Sequence, residues 1–150
     1  MTATFRTVAV ALVEYLPTVM PYLTTCRLYA GEIEDIGNGG QPFDPAPAAY
    51  VISDTLEPVS EDEGFGEYLY RARYGLVLVA RSLGVRLDAQ ESGDFSAHRM
   101  IEDVQEFVPD ATLDLVGFSG LTLGVIRRVK ITSSAAVYVV ELSALVTIAK

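Results

Sequence analysis

The sequence predicts an α+β fold, a mainly antiparallel β-sheet with two α-helices packed on one face. Three observations carry that prediction. Apolar residues recur every three or four positions over two stretches, near residues 5–16 and 97–108, as helices require. They recur every second position over several others, most clearly from Tyr68 to Ala80 and from Val137 to Ala149, as strands require. The resulting order is helix, strand, strand, long strand, helix, strand, strand, which is an α+β layer arrangement and not a strict βαβ alternation.

The first helix places Phe5, Val8, Ala9, Leu12, Leu16 and Val19 on one stripe, with Arg6 and Glu14 off it. Thr2 or Thr4 can cap its start. Pro17 cannot sit deep in a regular helix, so the helix is expected to end near Leu16 or to add a short turn before Pro21. Leu23 to Tyr29 is β-branched and aromatic enough for a short strand. Residues 31–47 read as a loop, because Gly37-Asn38-Gly39-Gly40-Gln41-Pro42 and Pro45-Ala46-Pro47 are consecutive breakers. A short apolar strand, Ala48 to Ser53, follows. Leu56 to Gly66, with Pro58 and the run Glu61-Asp62-Glu63-Gly64, reads as a second loop.

From Tyr68 to Ala80 one face is Tyr68, Tyr70, Ala72, Tyr74, Leu76, Leu78 and Ala80. The other turns from basic (Arg71, Arg73) to apolar (Val77, Val79), so part of it is expected to be covered too. After a polar linker, Asp94 or Ser96 is expected to cap the second helix. Ala97, Ile101, Val104 and Val108 point inward, Met100 and Phe107 flank them, and Glu102, Asp103 and Glu106 face out. Pro109 closes that helix. Two last strands, Leu121 to Ile131 and Val137 to Ala149, follow the Gly117-Phe118-Ser119-Gly120 turn.

With 150 residues, the chain fits one domain, expected over 1–150, and half of it is hydrophobic, enough for a core and incompatible with intrinsic disorder. Its one cysteine, Cys26, excludes an intramolecular disulfide framework and fits a reducing compartment. Glu14 and Pro17 interrupt the apolar run that a secretory signal would need, so synthesis in a cytoplasm is expected. Ala135 to Ala149 contains Glu141 and Ser143 and is too short to span a bilayer as a helix, so no membrane is expected.

Charge is unevenly placed. Residues 1–70 hold two basic and eleven acidic residues, whereas 71–150 hold nine of each. Ten carboxylates and no cation lie between Arg27 and Arg71. Such a surface repels nucleic acid and phosphates. A solvated face that aids solubility is the plainer account of it.

Residues for bond-making chemistry are few. His98, the only histidine, falls in the first turn of the second helix, where a cation opposes the macrodipole, and reads as a bystander facing solvent. Cys26 reads as a small buried hydrophobe. The glycines at 37, 39 and 40 lack the Lys-Ser/Thr of a phosphate loop. Gly117-Phe118-Ser119-Gly120 misses the spacing of a nucleophile elbow. Neither Glu32, Glu34, Asp35 nor Glu61, Asp62, Glu63 matches a helix-loop-helix calcium site. The expectation is no enzyme, no catalytic residue, no cofactor and no metal.

This order of elements resembles the tail terminator, or tail-completion, proteins of long-tailed bacteriophages. The resemblance rests on the opening helix ending at Leu16-Pro17, the Gly/Pro-rich entry into Pro47-Ala48-Ala49-Tyr50-Val51-Ile52, and the Tyr-rich strand from Tyr68. The helix Ala97–Val108 and the closing strands around Arg127-Arg128 and Val137-Tyr138-Val139-Val140-Glu141-Leu142 complete it. It implies a structural virion protein of the tail and neck, assembled in the host cytoplasm. Copies would close into a hexameric ring that caps the head-proximal end of the tail tube and joins tail to head. Implied partners are further copies of the chain, the tail tube protein, head-tail connector or neck proteins, and a sheath protein if the tail is contractile. DNA would pass through without specific binding.

Within that reading, Glu32, Glu34, Asp35, Glu61, Asp62 and Glu63 are the candidates to line the lumen or meet a partner, since a negative lumen lets a duplex slide. Tyr68, Tyr70, Arg71, Arg73 and Tyr74 are the candidates for a subunit interface. Another connector, neck or baseplate subunit fits the same pattern. A small cellular ligand-binding domain, or an enzyme using carboxylates alone, is the remaining alternative.

Overall fold

The computed structural model describes residues 2–29, 46–62, 67–81, 97–131 and 135–149. Helix α1 runs from Phe5 to Val19 and helix α2 from Ala97 to Phe107. The strands are β1 (Thr25–Leu28), β2 (Ala48–Asp62), β3 (Glu67–Arg81), β4 (Thr122–Ile131) and β5 (Ala135–Ala149). They form one five-stranded sheet in the order β1-β2-β3-β5-β4. Among the named strands of the described residues, β1 and β2 pair in parallel and the other three pairings are antiparallel. The α+β expectation is met, with sheet predominating.

Thr4 caps α1. Its hydroxyl accepts from the Thr7 amide at 3.1 Å, and its own amide donates to the Thr7 hydroxyl at 2.7 Å, a reciprocal box worth about 1 kcal/mol. The helix does not stop at Leu16: it continues through Pro17 to Val19. Proline removes the amide that would bond the Val13 carbonyl, and the Cys26 thiol of β1 donates to that carbonyl instead, at 3.4 Å. Tertiary structure thus supplies the missing donor.

Both helices cover the same face of the sheet. Val8, Ala9, Leu12 and Leu16 of α1, and Ala97, Met100 and Val104 of α2, bury with Ala49, Val51, Tyr74, Leu76, Leu78, Val140 and Leu142 of the strands. Alternation sends Tyr50, Val77, Val79, Val137 and Val139 to the other face. They form a second buried cluster there, with Tyr29, Ala46 and Ile52 against it. The expectation that this face is partly covered holds.

The largest departure is β2. Leu56 to Asp62 is strand, paired with β3 from Leu56↔Ala72 to Asp62↔Glu67. Pro58 is tolerated because the register shifts between Pro58 and Ser60 and, among the described residues, no strand pairs with the outer side of β2 past Val51. Proline in a sheet occupies such edges and bulges. The expected caps Asp94 and Ser96 lie outside the described residues, as does the expected loop 31–47 except for Ala46 and Pro47, which lead into β2 without regular structure.

Between α2 and β4, residues 109–121 finish the sheet irregularly. Thr147 donates to the Gly117 carbonyl at 2.9 Å and Ser119 to that of Leu145 at 3.1 Å, covering β5 beyond β4. Gly120 has φ +88°, and a Cβ there would lie 3.1 Å from the Asp110 Cα. Only glycine fits both demands.

Candidate functional site

On β3 the period of two separates the expected interface residues into two sets. Tyr68, Tyr70 and Tyr74 share the helix side of the strand, while Arg71 and Arg73 point the opposite way. Tyr74 is buried, its hydroxyl donates to the Phe5 carbonyl at 2.9 Å, and its ring lies 5.4 Å from that of Phe5. It holds α1 to the sheet and offers no surface to a second subunit. Tyr68 and Tyr70 are half-buried with their rings 6.3 Å apart. Arg71 and Arg73 are exposed. These five residues therefore do not make one patch.

The arginines border a cleft of about 290 Å³ on the helix-free face, lined by Asp54, Arg71, Arg73, Tyr74, Gly124, Glu141, Leu142 and Ser143. Arg73 approaches Glu57 at 3.7 Å with both side chains half exposed, a surface pair of little stabilising worth. Gly124 lets β4 close over Glu141, since a Cβ there would lie 3.1 Å from the Glu141 Cβ. The cleft mixes cations and carboxylates. Such a set suits the recognition of charge.

His98 is exposed at the start of α2, its ring centroid 6.5 Å from that of Tyr138. Cys26 is a free, half-buried thiol whose pKa burial pushes up to about 11, which favours the protonated thiol at neutral pH. Among the described residues, no group of three His, Cys, Asp or Glu side chains is placed to hold a metal ion. No helix of the described residues is long and apolar enough to cross a membrane.

Asp103 overturns an expectation. It does not face out with Glu102 and Glu106: only 6% of it is exposed. The Tyr22 hydroxyl donates to its Oδ2 at 2.6 Å and Arg99 Nε at 3.3 Å. Burial first, and Asp103 second, push the Tyr22 hydroxyl well above its ordinary pKa. The signal was its spacing, three residues after buried Met100 and one before buried Val104, on the flank of the inward stripe.

Of the expected acidic set, Glu61 and Asp62 are strand positions of β2, opposite Tyr68 and Glu67. Glu32, Glu34, Asp35 and Glu63 lie outside the described residues.

The sequence reading missed the two edges of the sheet. On the outer side of β2, Leu56 and Val59 are 36% and 44% exposed. At the far end, among the described residues, β4 pairs with β5 alone and shows Val125 and Val129 at 60% and 43%. Each edge carries two register shifts, at Ser53/Thr55 and Pro58/Ser60 on β2 and at Leu123/Ile126 and Arg128/Lys130 on β4. Bulges blunt a strand edge against indiscriminate pairing, so what these edges present is side chains more than a free ladder.

No known family's sequence profile matches the chain. No curated protein matches it.

Proposed function

We propose that this chain is a structural virion protein, a tail terminator whose copies close into a hexameric ring. The ring caps the head-proximal end of a phage tail tube and joins the tail to the head, without catalysis. One observation carries the reading: among the described residues, the second half of β2, past the short β1, and the whole of β4 are outer strands with exposed apolar side chains, Leu56 and Val59 on one and Val125 and Val129 on the other. Two different edges at opposite ends of one sheet suit a heterologous, head-to-tail contact, which closes into a ring when the rotation between copies permits. The acidic bias of residues 1–70 suits a lumen through which DNA slides unbound, with Glu32, Glu34, Asp35, Glu61, Asp62 and Glu63 as its lining or rim. Tail tube, neck and, in a contractile tail, sheath proteins are the partners, and the tail–neck junction of the virion is the location.

The test is the native assembly. Negative-stain images and native mass at tens of micromolar, a concentration that reads even weak interfaces, are expected to show six-fold rings. Twelve-fold rings would reassign the chain to a connector. A strict monomer, alone and with tube protein present, would overturn the assembly reading.

A further inference from the structure

The two edges differ in charge as well as in position. Beside Val125 and Val129, β4 exposes Arg127 and Arg128. Beside Leu56 and Val59, β2 exposes Asp54 and Glu57. Among the described residues, Arg127, Arg128 and Asp54 have no ion pair, and Glu57 has only its 3.7 Å approach to Arg73. The β4 edge thus combines its apolar pair with Arg127 and Arg128, one on each face of the sheet, and the β2 edge combines its pair with Asp54 and Glu57, behind which Arg71 and Arg73 stand one strand further in.

We infer that the β4 edge of one copy docks on the outer β2 edge of the next, Arg127 facing Asp54 and Glu57 on the helix-free side and Arg128 adding positive charge from the other face of the same edge, while the apolar side chains of both edges pack beside them. This joint rests on the ring reading and names its contact. Strand direction permits it. β2, β3, β5 and β4 are related by three successive antiparallel pairings, so β4 of one copy meets β2 of the next antiparallel.

The registers fix its offset. Arg127 stands opposite Val139, which stands opposite Val77, whereas Asp54 falls between the partners of Tyr74 and Arg73. Bringing Arg127 level with Asp54 staggers neighbouring sheets by between three and four residues, roughly 12 Å at the rise of a strand. A stagger of that kind is what closing a ring of tilted strands requires. The bulges on both edges allow this one side-chain-led joint while opposing open-ended strand stacking.

Charge reversal tests it. Variant R127E/R128E has two acidic edges and variant D54K/E57K two basic ones, all at exposed positions; circular dichroism checks that each is folded. Each alone is expected to associate roughly tenfold or more weakly than wild type in low salt, and to recover part of the loss in 1 M salt, where the Debye length is about 3 Å. Mixed in equal amounts they are expected to co-assemble into alternating rings, because every joint then pairs opposite charges. The four-fold variant carrying all the reversals is expected to assemble by itself. Wild type that forms rings while both reversed variants do so equally well overturns the joint and leaves the ring. Failure of both the mixture and the four-fold variant to recover does the same. Wild type that stays monomeric overturns ring and joint together.

Discussion

Pro17, Val13 and Cys26 show how one residue's defect is met by another far along the chain. A proline inside a helix leaves the carbonyl four residues earlier without its amide, and an unsatisfied carbonyl costs about 1 kcal/mol or more when shielded from water. The Cys26 thiol meets Val13 at 3.4 Å, so Cys26→Ala is expected to cost about 1 kcal/mol in urea unfolding. In a Pro17→Ala background, where Ala at 17 can donate to Val13, the same change should cost clearly less. Equal costs in both backgrounds would remove the link. The pH dependence has a definite sign. The folded pKa, about 11, exceeds the unfolded value of about 8.5, so this contribution is complete below about pH 8.5 and declines as pH rises through 11. Cys26→Ala should flatten that alkaline decline.

At the scale of elements, α2 is anchored to α1 and to the turn after it by two tyrosines. Tyr15 donates to the Phe107 carbonyl at 2.8 Å, and Tyr22 to Asp103 at 2.6 Å. Hydrogen bonds to a buried charged group contribute about 1.5–3 kcal/mol. Asp103→Ala removes the acceptor shared by the Tyr22 hydroxyl and Arg99, and is expected to lower stability by about 2–3 kcal/mol, with the slope of the urea transition unchanged. Asp103→Asn keeps an acceptor and should lose less. Glu102→Ala, exposed one residue earlier, should change stability by less than about 0.5 kcal/mol. Equal effects at 102 and 103 would show that the cluster does not secure the helix.

For the whole molecule the governing quantity is the sign of charge in the first half of the chain. Exchanging Glu32, Glu34, Asp35, Glu61, Asp62 and Glu63 for Lys moves the net charge from −9 to +3. If these residues serve a lumen, the variant ring should retain duplex DNA that wild type ignores, with retention falling steeply between about 50 and 200 mM salt. If they meet a basic partner, docking to that partner should slow, and the wild-type rate should itself fall as salt rises. A variant that assembles, ignores DNA and supports full tail assembly would reduce the six carboxylates to solubilising surface.

The sequence by itself determined the element order, the α+β class, both helical stripes and the two faces of Tyr68–Ala80. Each is a local period, readable over about ten residues and enforced by one buried side. Tertiary structure decided the rest. Leu56 to Asp62 looks like a loop because Pro58 and a run of acids lack strand propensity, yet the β3 ladder recruits it. Helix α1 passes Pro17 because a thiol from β1 replaces the lost amide. Asp103 is buried because Tyr22, eighty-one residues away, supplies a donor that no helical pattern can reveal. The edges were unreadable for the same reason. An edge is defined by which strands lack a neighbour, a property of sheet order, and no stretch of sequence carries it.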